Sequence, residues 1–579
     1  MKKLIALLLT LAMLLSLAAC GTSNSGSGST EAPAASAEKP ASADTPTGEP
    51  AQELVTLKIL CKNDYDSNVK LADWKDYDIS QTFIDRLAEM GIAIELETIS
   101  NADFANVVRT RMASGVDMPD IISVAFDSLS SSEVAEWGMN GLIIPASKLM
   151  ADYDTDGSIA AYWDKNVPGD RGVQTAPDGN LYWFSYLYNT QQFDSATGKK
   201  IATEGLRLAS IRKDWVEAVG EEVKTVYTPD ELYDLMVKFQ ENDVNGNGVK
   251  DEVVHVKIDS FYDNLARGFG LNTSTLAYVD ENGTATSNFY NKDALVPYLE
   301  YMNKLYADGF YDTTSFTGDA MANELISENK AAVVFNYATW AYEDQIQDPD
   351  ALYVPFVLDV TGSLEDGWYA QGDHPCMTFN QYFVTSACKN PEVAAKLFDF
   401  IYSDEYAIMC NCVEGVTATV EDDAMKNIYV EACPDITADP DGFWAWKHKY
   451  SNLSETGVGL YALPNMITIP SYTELTPDTL TGKALAKHEQ KLAIMESLDT
   501  CDFQAKNTLA IRTPEESELN STISEALTTY ASELLTDIIL GNRDISTLDD
   551  GIAEMEKLGL KDYIAMVQAR YDRAMAAIG

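Results

Sequence analysis

Apolar residues recur along this chain at two periods, and the two alternate. Leu54-Val-Thr-Leu-Lys-Ile-Leu60 reads as a strand, and Ser80 to Met90 as a helix with Phe83, Ile84 and Leu87 on one face. Gly91 ends that helix, and Ile92-Ala-Ile-Glu-Leu96 is a second strand. Asn101 to Ala113 reads as a helix and Pro119-Asp-Ile-Ile-Ser-Val124 as a third strand. Strands separated by helices predict right-handed βαβ units and a parallel sheet. Open sheets of this kind bind ligands beyond the carboxyl ends of their strands. Phe126, Asp127 and Ser128 follow the third strand and so face a candidate cleft.

The middle of the chain repeats the alternation. Leu181-Tyr-Trp-Phe-Ser-Tyr-Leu-Tyr188 reads as an aromatic strand, with Tyr182, Phe184 and Tyr186 on one face and Trp183 on the other. Thr228-Pro229-Asp230-Glu231 carries a helix start: a capping threonine, a proline at the first helical position and a glutamate three residues on. Leu232, Leu235, Met236 and Phe239 then mark the buried face. Pro297 to Ala307 is a predicted helix, and Asn329 to Trp340 a strand running into a loop. Tyr353 to Val357 is a further strand, and Gly362 to Gly367 a crossing loop followed by Trp368, Tyr369, Asp373 and His374. The end of the chain reads as mainly helical, with Glu515 to Leu540 and Thr547 to Ile578 the longest periodic runs.

One loop suggests a metal. Asp243-Val-Asn-Gly-Asn-Gly-Val-Lys-Asp-Glu252 places oxygen side chains at its first, third, fifth and ninth positions and glycine at the sixth. Calcium takes six to eight oxygens at ~2.3–2.6 Å, and alternate residues can supply them only if the chain turns sharply at a glycine. Asp243, Asn245, Asn247 and Asp251 fit as side-chain ligands, with Val249 offering its carbonyl. The twelfth position is Val254, so Glu252 must stand in for the usual bidentate glutamate. The ion would be structural. Asp152-Tyr-Asp-Thr-Asp-Gly157 is similar but lacks oxygens at the ninth and twelfth positions, and reads as a solvated turn.

Composition narrows the rest. A chain of 579 residues is too long for one core. Its 90 acidic and 41 basic residues give a formal charge of −49, which repels nucleic acid and anionic membrane. Lys2-Lys3 and the apolar run Leu4 to Leu17 form a secretion signal shorter than the ~20 apolar residues a spanning helix needs. It ends in Leu17-Ala-Ala-Cys20, which resembles a bacterial lipobox and makes Cys20 the expected lipidated terminus. Gly21 to Pro50 contains no aromatic residue and no Leu, Ile, Val or Met, the composition of a disordered tether. The seven remaining cysteines cannot all pair, and Cys410 and Cys412 read as small buried residues. No hydrolase elbow, phosphate loop, dinucleotide fingerprint or zinc-protease motif occurs, and the four histidines have no metal spacing.

Arg212-Lys-Asp-Trp215, the capped helix and the Asp-x-Asn-x-Asn-Gly-x-x-Asp-Glu loop together resemble the extracellular solute-binding lipoproteins of carbohydrate ABC importers, in particular the alginate-binding type. Asn390-Pro-Glu-x-Ala-x-Lys396, Tyr402-Ser-Asp-Glu405 and Leu540-Gly-Asn-Arg543 extend the likeness, whereas residues 430–510 match poorly. The resemblance implies an α/β, two-lobed periplasmic-binding-protein-like fold with a hinge and a helical C-terminal extension. It places the calcium ligands at Asp243, Asn245, Asn247, Val249, Asp251 and Glu252. It also puts Trp340, Trp183 and Tyr186 at the cleft, where aromatic planes stack on sugar rings. Trp368 and Tyr369 join them, and Asp127, Arg212 and Asp373 are candidates for bonds to hydroxyls.

The expected organisation is a signal peptide over 1–19 and a lipidated tether over 20–53. A first lobe of 54–182 plus about 358–405 and a second of about 185–355 plus about 408–579 follow. The implied function is capture of an oligosaccharide for delivery to an ABC permease by a monomer on the outer face of the bacterial cell membrane, without enzymatic activity. A glycan hydrolase or lyase using cleft acids, and a surface sugar sensor, are the alternatives.

Overall fold

Hydrophobic runs of four to ten residues, bounded by turns, build two separate sheets. The structure is a computed structural model describing residues 54–63, 71–125, 129–189, 192–193, 200–201, 208–255, 264–272, 276–280, 282–313, 320–334, 346, 350–363, 376–411, 439–467, 482, 485–486, 489–490, 493–494 and 509–578. The first sheet has seven strands: β1 (Val55–Lys62), β2 (Ile92–Ile99), β3 (Ile121–Val124), β4 (Ile143–Ile144), β5 (Phe184–Asn189), β15 (Cys376–Thr385) and β16 (Met466–Ile467). Their order is β16-β5-β15-β3-β1-β2, with β4 also on β15. The β1–β2 and β1–β3 pairs are parallel, as the βαβ reading requires, and β15 runs antiparallel to β3 and β5.

The second sheet has five strands: β8 (Ala209–Arg212), β9 (Val226–Tyr227), β10 (Val253–His255), β13 (Ala331–Val334) and β14 (Tyr353–Leu358). They lie in the order β10-β13-β8-β14-β9. Two small hairpins complete the strands, β6 (Gln192–Phe193) with β7 (Lys200–Ile201), and β11 (Tyr278–Val279) with β12 (Ala285–Thr286).

Each sheet carries its own core. In the first lobe Leu57, Ile59, Phe83, Phe184, Phe398 and Tyr406 lie on one face, and Leu60, Val108, Ile122, Trp183 and Phe383 on the other. In the second, Ile211, Trp215, Met236, Phe239, Leu299 and Phe356 pack with Leu534 and Ile538 of the Pro514–Ile539 helix. The Pro229–Asn242 helix starts as expected: Thr228 Oγ1 accepts the Glu231 N–H at 3.2 Å, and Glu231 returns a bond to the Thr228 N–H at 2.9 Å. Such a reciprocal cap is worth ~1 kcal/mol.

Two expectations are corrected. The chain leaves the first sheet only after Asn189, because β5 extends beyond the expected boundary at residues 182–185. Residues 440–467 belong to the first lobe, not the second: β16 pairs in parallel with β5, and Leu453, Val458, Tyr461 and Leu463 lie in the first-lobe core. The lobe therefore extends far past residue 405, through a stretch whose weak periodicity hid its packing. The helical run from Thr547 to Ile578 comprises two helices, Leu548–Lys557 and Leu560–Ile578, broken at Gly559, whose φ of 108° L side chains rarely adopt. The last helix also reaches both lobes. Val567 and Tyr571 pack under β11 and β12, while Ala574 meets Val173 and Ala577 lies against Gly172 of the first lobe.

Candidate functional site

Strand direction locates the edges between which a ligand would lie. Cys376, the first residue of β15, pairs with Asn189, the last of β5, and β16 ends beside them. The carboxyl ends of β1, β2 and β3 point to the same edge, since β3 is antiparallel to β15 and parallel to β1. The chain leaves the first sheet from this edge after β5 and re-enters there at β15. In the second sheet the matching edge holds the start of β8, the ends of β10 and β13, and the end of β14, where the chain arrives and departs. Both edges are therefore joined by crossing segments, and the carboxyl ends of the parallel strands lie on them, where α/β sheets place ligands.

Polar residues gather at these ends. Lys62 closes β1 and is 1% exposed. His255 closes β10, wholly buried, with Nδ1 3.0 Å from Asp312 Oδ2. Asp359 follows β14, buried, and its Oδ1 accepts from the Thr361 N–H at 2.8 Å and the Thr361 hydroxyl at 2.6 Å. Sequence reasoning missed all three. The available signal was a charged or ionisable residue closing an otherwise apolar strand, as in Leu-Cys-Lys62 and Val-Val-His255.

Two expected cleft residues lie elsewhere. Trp183 stands before the amino end of β5, the end remote from the crossing, and is wholly buried. Its indole N–H donates to Gln174 Oε1, which also takes the Ser185 hydroxyl at 2.8 Å. The expected alternation fails here because regular strand begins only at Phe184. Tyr182 packs with Trp183 rather than with Phe184 and Tyr186, its ring flat against Gly138, where a Cβ would lie 2.2 Å away, and its hydroxyl donates to Asp178. Tyr186, mid-strand, is 6% exposed and belongs to the first-lobe core.

Arg212 is likewise displaced from the cleft. It ends β8 at the pole of the second sheet opposite the crossing edge, and is fully buried. Its guanidinium donates to both oxygens of Asp214, at 2.9 and 2.5 Å, and to Asn329 Oδ1. Asp127, Trp340, Trp368, Tyr369, Asp373 and Cys20 lie outside the described residues.

The acidic loop lies at that same far pole, between the Pro229–Asn242 helix and β10. Asp243 takes the left-handed conformation at φ 48° and caps the helix, and its carboxylate accepts the Gly248 N–H. Asn245 Oδ1 accepts from Asn247 N–H at 3.1 Å and Asn247 Oδ1 from Val249 N–H at 2.7 Å, so each side-chain oxygen is folded back over the loop. Both amide groups donate to Asp251 Oδ1, at 3.0 and 2.9 Å. Glu252 is fully buried beneath them, and its Oε2 has no hydrogen-bond partner among the described residues. Burial, with Asp251 and Asp243 nearby, raises its pKa above the usual carboxylate range. A buried carboxylate oxygen without a donor is costly unless a cation meets it. This donor set fits a hard divalent ion.

The other candidate groups are quiet. Cys61, Cys388 and Cys410 are buried, and burial pushes the Cys61 thiol up to about 12 and that of Cys388 to about 11. Asp154, Asp156 and Asp399 cluster around Ser158 at the surface, where Ser158 Oγ donates to Asp154. Among the described residues, no helix is long and apolar enough to cross a membrane.

Against these features, the model of the bacterial extracellular solute-binding protein family matches residues 72–408. The chain belongs to this family. Among curated solute-binding proteins, it is similar to the fructooligosaccharide ABC transporter substrate-binding protein FusA of Streptococcus pneumoniae, 26% identical over 99% of this chain and 98% of FusA. Among solved structures, the FusA EF-hand mutant in complex with fructo-nystose matches with a TM-score of 0.63, at 19% identity over 90% of this chain and 100% of that one. The alginate-binding protein AlgQ2 without calcium ion matches with a TM-score of 0.59, at 18% identity over 90% of this chain and 98% of that one. The solute-binding family thus supplies the fold expected from the sequence: two α/β lobes with a helical C-terminal region.

Proposed function

We propose that this solute-binding protein captures an oligosaccharide between the carboxyl edges of its two sheets and delivers it to an ABC permease. The observation that carries this is the end-to-end match to FusA, which spans both lobes and the helical C-terminus. Ligand that touches both lobes favours the closed arrangement by its differential affinity for it. Aromatic side chains supply stacking area, with Trp340 the leading candidate and Trp368 and Tyr369 further ones; Asp127 and Asp373 are the candidates that accept hydroxyls.

Calcium belongs to the same reading. Asp243, Asn245, Asn247, Asp251, Glu252 and the Val249 carbonyl hold it, and it pins the loop at the pole remote from the cleft. Its role there is structural. Cys20 carries the lipid anchor on the outer face of the cell membrane, residues 21–53 form the tether, and the protein acts as a monomer without breaking bonds in its ligand.

The test is calorimetric titration of a panel of oligosaccharides, kestose and nystose among them, into the calcium-loaded protein. Binding of at least one sugar, weakened about tenfold or more by Trp340→Ala, ~1.4 kcal/mol, is expected. Failure of every sugar to bind, or steady release of reducing ends, sinks the reading.

A further inference from the structure

Arg512 and Arg570 are neighbouring cations without an ion pair among the described residues, and the one carboxylate near them, Glu516, is shared with Arg573. Residues 510–512 run beside the Leu560–Ile578 helix: Ala510 N–H donates to the Arg570 carbonyl at 3.2 Å, and Arg570 Nε donates to the Ala510 carbonyl at 2.8 Å. One turn on, Arg573 donates to the Ile511 carbonyl at 3.2 Å and to both oxygens of Glu516, at 2.7 and 2.6 Å. The cluster stands where the lobes meet. Arg512 N–H donates to Ser132 Oγ at 3.4 Å and Ile511 is buried in the first-lobe core, whereas the helix that begins beside Glu516 runs into the second.

Charge does not balance here. Glu516 is taken by Arg573 and by the Thr513 N–H at 3.0 Å. Neither Arg512 nor Arg570 forms an ion pair among the described residues, and the buried Nε of Arg512 has no hydrogen-bond partner there. Burial and the adjacent Arg512 hold the Arg570 pKa down at about 10, outweighing the nearby Glu516 carboxylate. Like charges held together raise the energy of the pair, more so where water is partly excluded. The chain has 90 acidic residues against 41 basic ones, yet among the described residues neither of these two arginines forms an ion pair with a carboxylate. Guanidiniums present planar forks of donors matched to the oxygens of carboxylate and phosphate groups.

We propose that Arg512 and Arg570 form a binding site for an oxyanion at the junction of the lobes. The anion is either an acidic substituent of the captured solute or a free inorganic ion. The site stands on its own residues and does not depend on the oligosaccharide reading.

The experiment is a thermal melt of the full mature protein in inorganic phosphate against chloride at constant ionic strength, which holds general screening fixed. Phosphate at ~10 mM should raise Tm by roughly 2 °C, and Arg512→Gln or Arg570→Gln should remove most of that rise. Arg512→Gln loses a like-charge repulsion and no side-chain hydrogen bond, so it should melt in chloride no lower than the parent, whereas Arg570→Gln also loses the bond to the Ala510 carbonyl. Calorimetric titration of phosphate checks the same loss independently of melting. No phosphate response in the parent, or an equal response in both variants, overturns the site. Competition between phosphate and a glucuronate-bearing oligosaccharide assigns the anion to the solute, and phosphate binding without competition assigns it to the free ion.

Discussion

The guanidinium carbon of Arg212 lies 4.3 Å from the ring centroid of Trp215, three residues further along the chain. Asp214 grips the same guanidinium edge-on and also accepts the Leu352 N–H at 3.2 Å, tying β8 to the start of β14. The Arg-Lys-Asp-Trp motif is thus a folding module at the far pole of the second lobe. Lysine cannot reproduce it, since an ammonium neither bonds both carboxylate oxygens in one plane nor stacks on an indole. Arg212→Lys should destabilise the protein by about 3 kcal/mol, because the partly buried Asp214 loses its matched partner. Urea unfolding measures this, and the affinity of the folded fraction for sugar should be unchanged.

Trp183 gives a second separation of stability from binding. Its ring fills the first-lobe core and its N–H satisfies Gln174. Trp183→Phe removes that bond and part of the ring, and should cost about 2 kcal/mol by denaturant midpoint. Titration of whichever oligosaccharide binds should give the parent affinity. A large loss of binding with unaltered stability would return Trp183 to the cleft.

The proposed calcium site makes a prediction about chelation. Calcium bound to the folded chain alone stabilises by about 2.7 kcal/mol at a hundredfold excess over its dissociation constant. EDTA should therefore lower Tm by several degrees, and added calcium should restore it. Glu252→Gln should abolish the calcium response, since the unpartnered Oε2 is replaced by an amide that cannot supply charge. An unchanged melt in EDTA would remove the ion.

Acid should weaken the contact between the last helix and residues 511–516. Burial pushes the Glu516 pKa upward, but Arg573 and the Thr513 N–H outweigh it and hold the carboxylate below its usual value. A depressed folded-state pKa contributes stability that is present above the unfolded value, about 4.3, and is lost as pH falls through the folded one. Glu516→Gln should lower the urea midpoint by the equivalent of about 1 kcal/mol at pH 7. The gap between variant and parent should close below about pH 4, as the parent carboxylate takes up its proton.

Much of this molecule could be read from local pattern. Leu57, Ile59 and Phe83 announced the first βαβ unit, and Thr228 with Glu231 fixed a helix start to the residue, because strand period and capping depend on neighbours a few positions apart. The spacing of Asp243, Asn245, Asn247 and Asp251 likewise marked a loop whose candidate ligands are all local. What the order of residues did not contain was direction across the fold. Whether an aromatic or a cation lies at the crossing edge or the far pole depends on which way its strand runs beside strands hundreds of residues away. That choice put Trp183 and Arg212 in the interior and Lys62 and His255 at the edges, and only packing makes it. The same holds for Arg512 and Arg570, 58 positions apart in the chain, which become neighbours without an ion pair among the described residues only once residues 510–512 lie along the final helix.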